Sequence, residues 1–210
     1  MTVFPLFENI DRKNFLVAGG GSVAARKVER LLAFTTRITV IAPETDIAGV
    51  RVLRRAVEDE DLMRADFVIA ATDDRALNRH IAAVCREGRI PVNVADDPEL
   101  CTFIFPAIVK RGDLTVGIST AGASPAYAWQ LRREVESILP DHIGGILERM
   151  SRLRRTVPER IPDQKKRAVC YREALALLVR TDNGADDEAL EAIIRRCVSG
   201  PDRDELKENR

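Results

Sequence analysis

Short apolar runs alternate with amphipathic stretches along the first half of this chain. Phe15-Leu16-Val17-Ala18, Arg37-Ile38-Thr39-Val40-Ile41-Ala42 and Asp66-Phe67-Val68-Ile69-Ala70-Ala71-Thr72 centre on near-continuous apolar segments. Such segments predict strands covered on both faces, as in a parallel sheet. Between the first two, Val23 to Ala33 has helical spacing, with Val23, Val28, Leu31 and Leu32 available for its inner side. Val50 to Val57 carries arginines among its apolar positions and predicts an edge strand. A short acidic helix is expected around Glu58 to Arg64, and a longer one over Arg75 to Glu87 that stops at Gly88. Pro91 to Ala95 supplies the next strand.

The pattern changes after Pro98. Phe103 to Val109 and Leu114 to Ser119 flank Lys110-Arg111-Gly112-Asp113, which reads as a hairpin. Ser124-Pro125 opens a helix, with the serine as N-cap and the proline in the first turn. Further helices are expected near Asp141–Arg155, Asp163–Arg180 and Asp186–Val198, after a first one over Ala126–Leu139. The fold class is therefore α/β: a Rossmann-type parallel sheet, then a hairpin–helix segment suited to dimerisation, then a C-terminal helical domain. The expected division is 1–113, 114–150 and 151–200, with a charged, disordered tail over 201–210.

Chemistry enters at the end of the first strand. Gly19-Gly20-Gly21-Ser22-Val23-Ala24 reads as G-x-G-x-x-A, the turn that brings backbone N–H groups to a dinucleotide pyrophosphate. In that reading Gly19 makes the turn, Gly21 admits the phosphates and Ala24 lets the helix lie close to the sheet. Ser22 and Val23 open the helix, whose dipole favours an anion there. Glu44, just past the second strand and twenty residues beyond Ala24, stands where an acidic side chain binds the ribose hydroxyls of NAD. Pro43 and Thr72, at the ends of the second and fourth strands, complete the candidate cofactor set. Arg51, Arg54 and Arg55 come late for a 2′-phosphate clamp, unless a loop folds back. Glycine turns also end ordinary strands, so the motif gains its meaning from this surrounding order.

Composition narrows the field. The chain has 210 residues, enough for one domain with an appendage or two small ones. Thirty-three basic residues balance 33 acidic ones, which gives no electrostatic reason to expect nucleic acid or a membrane surface as partner. The N-terminus lacks a basic segment followed by a long apolar run, and the cysteines at 85, 101, 170 and 197 form no C-x-x-C pair. Both features fit free thiols in the cytoplasm. Two histidines, His80 and His142, far apart in sequence, exclude a His-rich metal site, and no metal-binding residue is proposed.

Further along, five ordered segments resemble one family. They are the glycine turn with Arg26-Lys27, Ala70-Ala71-Thr72-Asp73-Asp74, Asn93-Val94-Ala95-Asp96-Asp97-Pro98, Phe103-Ile104-Phe105-Pro106-Ala107 and Ser119-Thr120-Ala121-Gly122-Ala123-Ser124-Pro125. The set resembles the precorrin-2 dehydrogenases, a family that includes the N-terminal module of bacterial siroheme synthase. It covers about residues 2–150 strongly and the later helices only in outline. The resemblance implies oxidation of precorrin-2 to sirohydrochlorin with NAD as hydride acceptor, and in some members insertion of Fe2+ as a ferrochelatase. It implies that Asp96 is the catalytic carboxylate for both steps. A base at the ring suits both, since each releases protons from the tetrapyrrole. Where the family carries two glycines after its Ser-Ser or Ser-Thr, this chain has Ala121-Gly122. Relatives are dimers with interlocked central segments. The apolar residues Ile104, Ile108, Val116, Trp129, Leu131 and Ile138 point to a homodimer centred on residues 103–150.

An anionic tetrapyrrole with eight carboxylates calls for cations, and Lys110 and Arg111 at the hairpin turn are the first candidates, followed by Arg132 and Arg133. Ser119 and Thr120 are candidate substrate contacts. Arg26 and Lys27 read either as phosphate contacts or as solvated charges, and His142 as a surface or packing residue. Two other readings of the nucleotide turn stay open: a different NAD-dependent oxidoreductase, and a non-catalytic NAD-sensing module that would have no need of Asp96.

Overall fold

The computed structural model describes residues 2–199; the expected disordered tail over 201–210 lies outside the described residues. Within them are two compact units, one of residues 2–106 with 119–125 and one of 107–118 with 126–199.

In the first unit β1 (Phe15–Ala18), β2 (Ile38–Ile41), β3 (Arg51–Leu53), β4 (Phe67–Ala70) and β5 (Val92–Val94) form one sheet in the order β3-β2-β1-β4-β5. Every neighbouring pair is parallel. The chain builds outward from β1 through β2 to β3, then crosses back to lay β4 on the other side. That reversal opens a crevice beyond the carboxyl ends of β1 and β4. The helices α1 (Ser22–Leu32), α2 (Asp59–Met63) and α3 (Arg75–Glu87) cover the faces. Alternate residues of β1 enter different cores: Phe15 and Val17 pack with Ala24, Val28 and Leu31 of α1, whereas Leu16 and Ala18 pack with Ile81 and Cys85 of α3. This two-sided burial is the physical reason for the uninterrupted apolar runs. On α1 the inner side is Ala24, Val28 and Leu31, with the half-buried Val23 packed against the same core; Leu32 is 37% exposed and does not fill the core role expected of it.

Residues 103–106 depart from the expected hairpin strand. Phe103 and Phe105 instead extend an aromatic wall on the first unit, with Phe103 edge-on to Phe67 at 5.6 Å and Phe67 stacked on Phe15 at 4.8 Å. The hairpin proper is β6 (Ala107–Arg111) paired antiparallel with β7 (Leu114–Ile118) around Gly112-Asp113. Gly112 takes φ +57° at this two-residue turn, and a Cβ there would lie 2.9 Å from Gly144 Cα. Both strands belong to the second unit, whereas a boundary after residue 113 would divide the hairpin.

The second unit continues with α4 (Pro125–Ile138, counted from Ala126 in this unit), α5 (Ile143–Arg160), α6 (Gln164–Arg180) and α7 (Asp187–Ser199). Its core is an aliphatic cluster of α5, α6 and α7 around Val157 and Leu178, each wholly buried. α5 runs past the expected stop at Arg155 and accommodates Pro158 in its last turn. Burial of Val157 and Ile161 in the cluster outweighs the hydrogen bond that the proline forgoes.

The glycine turn is tightly built around two of its three glycines. Gly19 takes φ +118°, and a Cβ there would lie 2.2 Å from Ala71 O; at Gly20 it would lie 2.3 Å from Glu44 O. At Gly21 a Cβ would meet nothing within 4 Å. Gly20→Ala is therefore expected to cost about 1–3 kcal/mol of folding stability, as forced overpacking does. Gly21→Ala should cost less than about 1 kcal/mol. Thermal unfolding of the two variants checks the difference, and equal losses would show that the turn has room to yield.

Candidate active site

The crevice is lined by loops that leave the carboxyl ends of β1, β2, β4 and β5, and the sequence folds each one back by a specific contact. Gly21 is the N-cap residue of α1, with extended backbone and no side-chain cap. The open space beside Gly21 and the uncapped first turn of α1 together make a cradle for an anionic group. Ser22, Val23 and Ala24 form that first turn, and Ala24 is fully buried, as close helix–sheet packing demands. These residues fit a dinucleotide pyrophosphate.

The loop after β2 lies against Gly20. Thr45, only 7% exposed, donates from Oγ1 to Gly20 O at 3.1 Å. Pro43 and Glu44 are exposed beside it, so the acidic side chain is available to a ribose. Arg54 folds back to this loop, donating from Nη1 to Thr45 O at 2.9 Å. Arg55 turns away into a two-pronged pair with Asp61, at 2.6 and 2.7 Å, which holds the Asp61 carboxyl below its ordinary range.

The loop after β4 is fixed by Asn78 of α3, which is 6% exposed. Its amide accepts from Thr72 N at 3.2 Å and donates to Thr72 O at 2.9 Å, clamping both sides of that residue's backbone. The Thr72 hydroxyl joins the same clamp, 2.8 Å from Asn78 Oδ1. Thr72 N also stands 2.9 Å from where a Gly19 Cβ would be, so this loop and the glycine turn are in contact.

Asp96 follows β5 and is exposed, with its backbone in the left-handed region at φ +58°. Asp is among the few residues that enter this region readily, and the surrounding contacts make the conformation specific. Cys101 closes the loop: Val94 N donates to its Sγ at 3.2 Å, and its S–H is directed at Val94 O (3.3 Å) and Asp97 O (3.4 Å). Thr102 seals the free edge of β5, its hydroxyl accepting from Val92 N at 2.7 Å and its own N–H donating to Val92 O at 2.8 Å. Asn93, 5% exposed, donates to Phe103 O at 3.0 Å.

Asn93 also receives Lys27. The Lys27 ammonium is 2.7 Å from Asn93 Oδ1 and 4.6 Å from the centre of the Phe105 ring. Burial lowers its pKa below the ordinary lysine value; attraction to Cys101 and Asp96 opposes the shift, while Arg30 and Arg26 add to it. This residue therefore turns inward and is neither a phosphate contact nor a solvated charge.

Ser119 to Pro125 returns to the first unit. Ser119 Oγ accepts from Ala121 N at 3.1 Å, and the Thr120 hydroxyl closes on the backbone of Ser124, accepting at 3.1 Å and donating at 3.0 Å. Ala123 N donates to Thr120 O, and the two residues between them, Ala121 at φ +51° and Gly122 at φ +88°, are both left-handed. Ala121 thus keeps the turn that glycine would make with less strain. Lys110 and Arg111 belong to the other unit. Lys110 Nζ donates to Gly112 O at 2.8 Å, Arg111 lies 3.8 Å from Asp141, and Arg132 Nε donates to Ile108 O at 2.8 Å.

The sequence reading passed over Gly20, Thr45 and Asn78, and it gave Asn93, Lys27 and Cys101 no part in shaping the Asp96 loop. Gly20 could have been found from the run of three glycines, since only two were needed for the motif. Asn93 and Asn78 are polar residues inside apolar strand and helix patterns, which is itself a signal of buried hydrogen bonding.

Comparison with known proteins agrees with this geometry. Residues 6–107 match the family described as putative NAD(P)-binding, and residues 111–138 match the sirohaem biosynthesis protein central family. The siroheme synthase of Thioalkalivibrio sulfidiphilus is 38% identical over 212 residues, covering 96% of this chain and 43% of that protein. That of Methylococcus capsulatus is 39% identical over 175 residues, covering 80% and 37%. This chain thus spans less than half the length of these relatives. A solved structure, "SirC, precorrin-2 dehydrogenase", superposes with a TM-score of 0.68 at 24% identity, over 93% of this chain and 98% of that one, and so shares the fold. The chain therefore carries an NAD(P)-binding segment followed by a sirohaem central segment, and is similar to the siroheme synthases over the portion of those proteins that it spans.

Proposed function

We propose that this chain oxidises precorrin-2 to sirohydrochlorin at the crevice of the first unit, with Asp96 as the base. The observation that supports this most strongly is the carboxylate of Asp96, presented from a left-handed, tethered loop beyond β5 of the sheet whose carboxyl edge also carries the glycine cradle. Gly19, Gly21, Ser22, Val23 and Ala24 hold the pyrophosphate, Pro43 and Glu44 the ribose, and Thr72 borders the crevice. When bound, NAD supplies the hydride acceptor. The balance is precorrin-2 + NAD+ → sirohydrochlorin + NADH + H+, and Asp96 receives the proton released from the macrocycle. Ser119 and Thr120 are the proposed contacts to the anionic substrate, and Lys110 and Arg111, which belong to the second unit, are proposed as cations able to bind its carboxylates. A ferrochelatase step, in which the same carboxylate takes pyrrole N–H protons and Fe2+ is a substrate, belongs to the proposal as a second activity of modest size. No helix among the described residues is long and apolar enough to cross a membrane, and the proposal sets the enzyme in the cytoplasm.

The exposed side of α4 supports assembly. Trp129 is 52% exposed and Ile138 77%, while Ala128 is the buried residue of that helix. A homodimer through residues 103–150 would cover this face. Light scattering at micromolar protein is expected to give twice the chain mass, and a monomer would refute the assembly.

Two substitutions and a cofactor comparison test the chemistry. Asp96→Asn should lower precorrin-2 oxidation by about 10²-fold or more while NAD binding is kept. Asp97→Asn should retain most activity, because Asp97 meets the Cys101 thiol through its backbone carbonyl. A fully active Asp96→Asn enzyme would rule out the base. Turnover should also be faster with NAD than with NADP, since Glu44 repels a 2′-phosphate and Arg54 is engaged by Thr45 O. Equal or faster turnover with NADP would mean that Arg54, not Glu44, governs the ribose end.

A further inference from the structure

Lys27 occupies an unusual position for a lysine on a nucleotide-binding helix. Its side chain leaves α1 on the sheet side and ends between an amide from β5 and an aromatic ring, 2.7 Å from Asn93 Oδ1 and 4.6 Å from the Phe105 centroid. A half-buried ammonium in such a wall loses hydration, and it persists because the amide oxygen and the ring face both attract the cation. The partner is equally committed. Asn93 is 5% exposed, and its amide nitrogen donates to Phe103 O at 3.0 Å and faces Cys101 Sγ at 3.5 Å.

Each end of this clasp leads to a part of the site. Lys27 lies on the helix whose first turn forms the cofactor cradle. Asn93 lies three residues before Asp96, and Cys101 ties the intervening backbone by its bonds to Val94 and Asp97. The charged and titratable neighbours that act on Lys27 are Cys101 and Asp96 from the β5 loop, and Arg26 and Arg30 from its own helix. A methionine or leucine would cover Phe105 without the cost of desolvation, but it would leave the buried Asn93 Oδ1 without this donor.

We propose that Lys27 is a positioning residue for Asp96, joining the cofactor helix to the end of β5 through Asn93 and so fixing the left-handed loop that presents the carboxylate. The proposal deepens the functional reading above, because it gives that reaction a residue that acts through the base and not on the substrate. The clasp ties α1 to a loop whose own closure is made by the Cys101 thiol. Without it the Asp96 loop is free to leave its left-handed conformation, and the carboxylate moves from its productive place.

The test combines hydrogen exchange with kinetics on the full chain. Lys27→Met keeps the length and the cover over Phe105 but removes the donor. Amide exchange in a peptide spanning residues 93–101 should quicken by about tenfold or more, while β1 and β4 stay protected. In the same variant kcat for precorrin-2 oxidation should fall by about tenfold, with the dissociation constant for NAD changed by less than about twofold. Lys27→Arg, which keeps a cationic donor, should restore both slow exchange and turnover. Unchanged exchange at 93–101 in Lys27→Met would overturn the proposal. So would a loss of protection spread evenly over β1, β4 and β5, or a Lys27→Met protein that does not fold, since either would make Lys27 a residue of general stability. Exchange decides the matter whether or not precorrin-2 is the substrate. A wild-type protein that fails to turn over precorrin-2 would instead count against the functional reading alone.

Discussion

The carboxyl edge of the parallel sheet depends on burying polar side chains with their hydrogen bonds made. Among the described residues three polar side chains are buried, Thr45, Asn78 and Asn93, and all three lie at that edge. Each binds a loop: Thr45 holds the β2 loop to Gly20, Asn78 clamps Thr72, and Asn93 takes up Lys27 and Phe103 O. A buried amide or hydroxyl without its partner costs about 1–3 kcal/mol, so each loop has one low-energy arrangement and the crevice is shaped in advance of any ligand. The rest of the sheet is held by apolar burial, which is not directional and would tolerate loops in many conformations. The polar contacts supply the direction.

The glycine turn meets the same constraint from the backbone side. Gly19 and Gly20 have no room for a Cβ because the β4 and β2 loops come down on them, whereas Gly21 faces open space. Two glycines therefore serve packing, and the third leaves an approach for a ligand. That division of labour is absent from the motif as usually read, in which the middle glycine is any residue.

Sheet and helices were legible in the sequence because two-sided burial writes continuous apolar runs, and α3 was located from Arg75 to its stop at Gly88 by helical spacing alone. The Asp96 loop was legible as a motif but not as a geometry. Its tether by Cys101 and its link to Lys27 join residues seven and 66 positions apart in the chain, and no local periodicity records such pairings. Phe103 and Phe105 misled for a related reason. Alternating aromatic residues suggest a strand, yet Phe103 packs on Phe67 and Phe105 on Phe103 in place of a ladder. The segment after the hairpin was read as helical, as it is, but the length of α5 depended on Val157 and Ile161 reaching the aliphatic cluster, which outweighs the local signal of Pro158.

The proposed function rests on what the pinned edge carries: an uncapped helix start, the exposed Glu44 beyond β2, and the Asp96 carboxylate on a left-handed loop. Such a crevice is suited to taking a hydride onto a nucleotide while a base takes the accompanying proton. The most direct measurement is the stoichiometry of a single turnover, with precorrin-2 and NAD mixed with excess protein and both products followed by absorbance. The account predicts that NADH and sirohydrochlorin form together, in about equal amounts and at one rate. Sirohydrochlorin formed without NADH, or no change in either over the spontaneous background, would contradict it.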